Sequence, residues 1–228
     1  MDKDNKLWVE EWSKEKYEPI REDFVSTGNG TDKEPKSSMC LAAFAVGMKE
    51  NYKEGMKLLD YGCGNCKMAN FLSKRLKEFT YYGIEPNSPY GKGQIASAID
   101  YFGNDNRINI GLIGEEIEKE AISNADTVLL LSVFTHTTIE ETKAIITKLL
   151  PIIERGGAVI FSVILGDKYS PVGNNAYTIK DSYGVVYNTL EQIKELQQQF
   201  NVNMELTYEY DADGGFKHNV YRTTKKEA

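Results

Sequence analysis

Two cysteines and two glycines share one short segment, and each pair is typical of a different chemistry. Cys63 and Cys66 stand in a C-x-x-C spacing within residues 60–71, DYGCGNCKMANF. In an α/β protein that spacing is typical of a thioredoxin-type redox pair, or of one half of a zinc site. Gly62 and Gly64 are typical of a loop in which the missing Cβ lets a nucleotide approach the backbone. The segment therefore predicts either thiol chemistry or a nucleotide site.

Glu85 and Lys67 bear on which nucleotide such a loop would bind. Glu85 ends the next strand-like run, 21 residues after Gly64, close to the ~20-residue offset at which an acid meets ribose hydroxyls. NAD sites use the same acid, so the offset leaves the cofactor open. The dinucleotide fingerprint G-x-G-x-x-G, counted from Gly62, needs a third glycine where this chain has Lys67. The sequence thus favours a ligand without a pyrophosphate.

Apolar strand-like runs alternate with amphipathic helix-like runs from residue 57 onward. The strand-like runs are KLLDY, TYYGIE, RINIGLI, DTVLLLSVF and AVIFSVIL. Strands that are apolar throughout predict a parallel sheet covered by helices on both faces. Ligands of such sheets bind at the carboxyl ends of the strands, where residues 60–71 follow the first strand. Residues 203–211 and 216–224 flank the turn ADGG and predict a C-terminal antiparallel hairpin.

Composition bounds the class of protein. A chain of 228 residues with 41% hydrophobic and 27% charged residues is typical of one soluble domain. We expect residues 1–52 to be an N-terminal helical cap or lid and residues 53–228 the main domain. The net charge of −7 argues against nucleic-acid binding. The apolar runs fall far short of the ~20 residues that span a bilayer, and three cysteines do not build a disulfide scaffold. These features predict a cytoplasmic protein without a membrane partner.

Several segments, in order along the chain, resemble motifs of the class I S-adenosylmethionine-dependent methyltransferases that act on small molecules. They are LLDYGCGNC, YYGIEPN, ADTVLLLSVFTHTT, LLPIIERGGAVIFSVI and HNVYRTTK. The resemblance covers about residues 57–222. It implies a Rossmann-like, mostly parallel seven-stranded sheet with helices on both faces, and S-adenosyl-L-methionine as cofactor. Cys66 departs from the family, which usually has a third glycine there, as does Thr137 where leucine is common.

The resemblance also implies a role for each matching position. Glu85 would bind the ribose hydroxyls, Asp60 would lie near the methionine ammonium, and Glu115 or Glu116 would meet the adenine amine. Consecutive acids near a helix start also simply favour the helix dipole. The complete set of implied cofactor-binding residues is Asp60, Gly62, Cys63, Gly64, Glu85, Pro86, Glu115, Glu116, Ser132 and Val133.

His136 is the predicted catalytic residue, and Tyr17 is a weaker candidate. His136 follows the fourth strand at its carboxyl end, where the transferred methyl would lie. An alcohol acceptor must lose a proton, and a histidine is suited to remove it. The alternative is that His136 is structural or borders the cofactor, since the family motif carries it in members with different acceptors. Tyr17 could close over the cofactor, and tyrosines of loop 166–188 could line the acceptor pocket.

The sequence therefore predicts methyl transfer to an oxygen or nitrogen of a small molecule. Two alternatives remain at this point: an NAD-dependent oxidoreductase, which Lys67 disfavours, and a non-catalytic cofactor-binding partner protein. A metal site is not expected, because Cys63 and Cys66 lack a second pair and the chain has only two histidines.

Overall fold

The computed structural model describes residues 47–167, 186–211 and 217–226. The predicted cap therefore falls almost wholly outside the described residues, as do Tyr17 and most of loop 166–188. The described strands are β1 (Met56–Tyr61), β2 (Phe79–Glu85), β3 (Ile108–Leu112), β4 (Thr127–Leu130), β5 (Ala158–Leu165), β6 (Tyr187–Asn188), β7 (Val202–Asp211) and β8 (Lys217–Lys225). The helices are α1 (Lys67–Ser73), α2 (Pro89–Phe102), α3 (Glu116–Asn124), α4 (Ile139–Glu154) and α5 (Leu190–Gln199), with a 3₁₀ turn at Lys49–Asn51.

One twisted sheet organises these elements. Its strand order is β3-β2-β1-β4-β5-β8-β7, and the two-residue β6 pairs with β5 off this path. The pairs among β1 to β5 are parallel, whereas β8 runs antiparallel to both β5 and β7. The predicted mostly parallel sheet with a C-terminal antiparallel pair is confirmed. Strand order reverses between β1 and β4, which is where ligands of open α/β sheets bind.

Two apolar cores cover the faces of the sheet. Successive residues of a strand point to opposite faces, so Leu58 belongs to one core and Leu59 to the other. The first core also contains side chains of α1 and α2, and the second contains side chains of α3, α4 and α5. The helices on both faces fix the strands, and the carboxyl ends of β1, β2 and β4 form a common edge.

Side-chain caps define where the helices after these strands begin. Ser88 Oγ accepts a hydrogen bond from the Gly91 N–H (3.0 Å) at the start of α2. Thr138 and Glu141 form a capping box at the start of α4, which satisfies two backbone donors at once. The turn between β4 and α4 is therefore held at its far end.

Among the described residues, no helix combines the length and apolarity needed to cross a membrane.

Candidate functional site

A cleft of about 230 Å³ opens at the carboxyl ends of β1, β2 and β4. The structure brings together eight of the predicted site residues in its walls: Asp60, Gly62, Cys63, Gly64, Glu85, Ser132, Val133 and His136. Four further residues line it that the sequence analysis did not assign to a site: Asn65, Lys67, Met68 and Leu131. The cleft thus gathers side chains from three separate loops at the point where strand order reverses.

The loop after β1 depends on Gly62. Its φ is 83°, in the left-handed region, and its N–H donates to the Ile84 carbonyl oxygen at 2.7 Å. A Cβ at this position would lie 2.5 Å from Val133 Cγ2. Gly64 also has a positive φ, 53°, but a Cβ there would meet no atom within 4 Å. Gly62 is therefore required by both conformation and space, and Gly64 by conformation.

Gly62→Ala should destabilise the protein by about 2–4 kcal/mol, because the added methyl meets Val133 in a backbone conformation that L-residues avoid. Gly64→Ala is the matched control, since it has the conformational cost without the clash, and about 1 kcal/mol is expected. Urea unfolding of both variants measures the difference. Equal losses would show that contact with Val133 does not limit this position.

Glu85 and Asp60 are two buried acids facing the cleft. Glu85 is 5% exposed, and its Oε2 accepts a hydrogen bond from the Gly64 N–H at 2.8 Å. Asp60 is 3% exposed and accepts from the Tyr81 hydroxyl at 2.7 Å. Burial raises the pKa of each carboxyl to about 7, and the charge of Asp60 adds to the shift at Glu85. Within the described residues neither forms an ion pair, so the cleft suits a ligand with cationic and hydroxyl groups.

Cys63 and Cys66 are free thiols whose Sγ atoms lie 3.7 Å apart. Both are buried, and both pack against Gly83 of β2, where a Cβ would come within 3.1 Å of each sulfur. Burial raises the pKa of the Cys63 thiol well above its usual value. Thioredoxin-type chemistry needs the opposite, an accessible thiolate of low pKa. The two cysteines therefore pack the loop after β1 against β2.

His136 lies at the end of a strained turn after β4. Ser132 has a φ of 55°, which costs a non-glycine residue about 1–3 kcal/mol and persists only where its surroundings hold it. Its N–H donates to Ser162 Oγ (3.0 Å), and its carbonyl oxygen accepts from Thr135 Oγ1 (2.6 Å). The His136 N–H donates to the Val133 carbonyl oxygen at 2.9 Å. These contacts present the half-buried His136 ring to the cleft.

The residues that line the cleft do not include Glu115, Glu116 or Pro86. Glu115 Oε2 accepts a hydrogen bond from the Leu112 N–H at 2.9 Å, and the exposed Glu116 pairs with Lys119 at 2.8 Å. Pro86 follows Glu85 in the chain and is buried. The adenine-binding role implied for Glu115 or Glu116 stays a prediction.

Three buried polar residues near the site escaped sequence analysis: Ser162, Tyr210 and His218. Ser162 lies on β5 and is hydrogen-bonded to the Ser132 turn, while the other two lie on β7 and β8. One signal was present in the sequence, since Ser162 is the single polar residue within the apolar run AVIFSVIL. A buried hydroxyl in such a run needs a partner.

No protein-family model matches the chain, and no curated protein matches it. Solved structures do match its fold. Magnesium protoporphyrin IX methyltransferase from Synechocystis PCC 6803, with bound S-adenosylmethionine, has a TM-score of 0.62 at 13% identity over 99% of each chain. A Burkholderia thailandensis 1,6-didemethyltoxoflavin N1-methyltransferase, with bound S-adenosylhomocysteine, has a TM-score of 0.56 at 16% identity over 91% of this chain and 87% of that one. The cyclase SpnF has a TM-score of 0.58 at 15% identity, over 82% of this chain and 81% of that one.

These likenesses establish the fold. The chain has the Rossmann-like fold of class I S-adenosylmethionine-dependent methyltransferases, as the sequence resemblance implied.

Proposed function

We propose that the chain transfers a methyl group from S-adenosylmethionine to an oxygen or nitrogen of a small-molecule acceptor. The observation that carries this proposal is the placement of Glu85. Its buried carboxylate ends β2, accepts a hydrogen bond from Gly64 of the glycine loop, and faces the cleft at the reversal of strand order. A second buried acid, Asp60, faces the same space.

The donor groups of the cleft fit that cofactor. A ribose diol offers two hydroxyl donors to the Glu85 carboxylate, and charge-assisted hydrogen bonds of this kind are strong. The methionine ammonium would compensate the charge of Asp60, which forms no ion pair in the part of the chain that the structure describes. Gly62 and Gly64 leave the loop backbone accessible, and Ser132 and Val133 form the opposite wall.

The protein's part in the reaction is alignment, exclusion of water and removal of a proton. The cofactor would supply an electrophilic methyl carbon on a sulfonium sulfur. As the acceptor atom bonds to that carbon, the C–S bond would break and the sulfur would leave as the neutral thioether of S-adenosylhomocysteine. Most of the acceleration in such a displacement comes from holding the acceptor atom in line with the methyl carbon and from excluding water. His136 borders the cleft beyond the β4 turn, so an imidazole nitrogen can accept the proton of a hydroxyl or N–H acceptor.

Calorimetric titration with S-adenosylhomocysteine and with NAD tests the cofactor. Binding of the first in the micromolar range, without binding of the second, is expected. Transfer of a labelled methyl group from S-adenosylmethionine is then assayed against phenols, carboxylic acids and ring-nitrogen heterocycles. Binding of NAD alone would overturn the proposal in favour of an oxidoreductase.

Cofactor affinity should rise with pH between 6 and 8. Because the pKa of Glu85 is about 7, its carboxyl is mostly protonated at pH 6 and ionised at pH 8. Only the ionised form accepts both ribose hydrogen bonds, so the Kd for S-adenosylhomocysteine should fall at least about tenfold over this window. Glu85→Gln should flatten the dependence; Asp60→Asn is measured beside it, because Asp60 titrates in the same window. A Kd independent of pH in the unaltered protein would contradict this account.

A second candidate function is a reaction other than methyl transfer. The likeness to the cyclase SpnF favours it, because that protein shares the fold. Such an activity would leave cofactor binding intact and transfer no label to any acceptor of the panel.

The net charge of −7 supports a small-molecule acceptor over a nucleic acid. We also propose a cytoplasmic location, because the apolar runs are too short to span a bilayer and three cysteines do not build a disulfide scaffold.

A further inference from the structure

A chain of polar groups runs from the cleft into the sheet. The Ser132 N–H donates to Ser162 Oγ at 3.0 Å. Ser162 Oγ lies 3.5 Å from His218 Nδ1, and the Tyr210 hydroxyl lies 3.1 Å from the same nitrogen. The side chains of Ser162, Tyr210 and His218 are all buried, at 0%, 5% and 7% exposure. The proposed reaction assigns none of them a role, yet their contacts end at a residue that lines the cleft.

The protonation state of His218 follows from its surroundings. Burial and the nearby charge of His136 lower the pKa of His218 to about 4, so the ring is neutral at ordinary pH and one nitrogen is an acceptor. A tyrosine hydroxyl donates readily, and the Ser162 hydroxyl, which already accepts from Ser132, has its own proton to give. Both hydroxyls therefore share the single lone pair of Nδ1, Tyr210 at 3.1 Å and Ser162 at 3.5 Å, and the ring proton is on Nε2.

We propose that His218 is a positioning residue for the cleft. Its Nδ1 orients the Ser162 hydroxyl so that a lone pair faces the Ser132 N–H. Ser162 then holds Ser132 in its left-handed conformation, with a φ of 55°. Val133 and His136 follow from that turn, so the wall of the cleft depends on a histidine two strands away in the sheet order. What the cleft binds rests on the proposed function, whereas the positioning of Ser132 does not.

Simple packing is the alternative explanation for His218. Its ring stacks on Tyr210 with centroids 5.0 Å apart and planes 29° apart. A packing role would be filled by an apolar side chain of similar size. A positioning role needs a polar acceptor at the place of Nδ1. Asparagine supplies one, because its Oδ1, like histidine Nδ1, is bonded directly to Cγ.

The test compares His218→Asn with His218→Leu. Hydrogen exchange of the amides in residues 131–136 and the Kd for S-adenosylhomocysteine are measured for both, together with the Tm. His218→Leu should speed exchange at Ser132 and weaken binding about tenfold each, the effect of losing one hydrogen bond. His218→Asn should stay within about threefold of the unaltered protein in both. Tyr210→Phe leaves the Nδ1 lone pair to Ser162 alone, so exchange at Ser132 should be slowed or unchanged in this variant. Should His218→Leu fail to fold, faster exchange at Ser132 in Tyr210→Phe would overturn the proposal.

A double variant tests whether Ser162 carries the effect. If His218 acts through Ser162, then Ser162→Ala combined with His218→Leu should be no worse than Ser162→Ala alone. Equal exchange rates at Ser132 in the Asn and Leu variants would overturn the proposal. So would losses of affinity that correlate with the fall in Tm and not with the absence of a polar atom at the place of Nδ1. Should the unaltered protein fail to bind S-adenosylhomocysteine, the proposed function falls, and the exchange rates still decide the role of His218.

Discussion

Glu85→Gln is expected to weaken the binding of S-adenosylhomocysteine about a hundredfold at pH 8. The substitution removes the charge from two hydrogen bonds to the ribose, and a hundredfold loss is about 2.7 kcal/mol, within the range for hydrogen bonds to charged groups. At pH 8 the unaltered carboxyl is mostly ionised, because its pKa is about 7. Isothermal titration calorimetry measures the change.

The matched control is Glu78→Gln. Glu78 precedes the other end of β2, is exposed, and loses the same charge on substitution. Its Kd should stay within about twofold of the unaltered protein. The glutamine oxygen at position 85 can still accept from the Gly64 N–H, and removal of a buried acid relieves its desolvation. The Tm of Glu85→Gln should therefore not fall, and a hundredfold loss that came with unfolding would not support a ribose contact.

His136→Gln is expected to lower kcat about a hundredfold or more for a phenol or alcohol acceptor, the lower part of the range for a general base. Affinity for S-adenosylhomocysteine should change by less than about threefold, because the predicted cofactor contacts come from Glu85 and the loop at 62–64. Single-turnover transfer of a labelled methyl group separates the chemical step from binding.

The acceptor itself provides the control for this prediction. A carboxylic acid is already ionised at pH 8 and needs no base, so its methylation should be nearly unaffected by His136→Gln. Unchanged turnover of the phenol would remove His136 from the mechanism and leave it as a wall of the cleft.

Much of the fold was accessible from the sequence because burial leaves a local pattern. Strands covered on both faces are apolar throughout, and their alternation with amphipathic helices predicted a parallel sheet, which the structure confirms. The same pattern placed the glycine loop and Glu85 at neighbouring strand ends, and the structure brings them within 2.8 Å. Local pattern did not predict β6, because a two-residue strand leaves no periodicity.

Contacts that depend on strand register could not be predicted from the sequence. Ser162 and His218 are 56 residues apart, and they meet because β8 pairs with β5 so that Ser162 lies opposite Val220. Tyr210 reaches the same nitrogen across the β7–β8 pairing, whose register shifts between Leu206 and Tyr208. Side-chain periodicity predicts the face of a residue but not its partner across the sheet. His218 was therefore visible in the sequence as a second histidine and not as a neighbour of the cleft.

The position of β8 has a consequence for how the protein assembles. The last described strand in chain order, residues 217–225, is an interior strand that separates β5 from β7. During synthesis the five parallel strands can pair as they emerge, but β7 has no place in the sheet until β8 inserts beside β5. Until then β5 presents an unpaired apolar edge. The half of the cleft at 60–85 can thus form before β8 inserts, whereas the contact of His218 with Ser162 can form only afterwards.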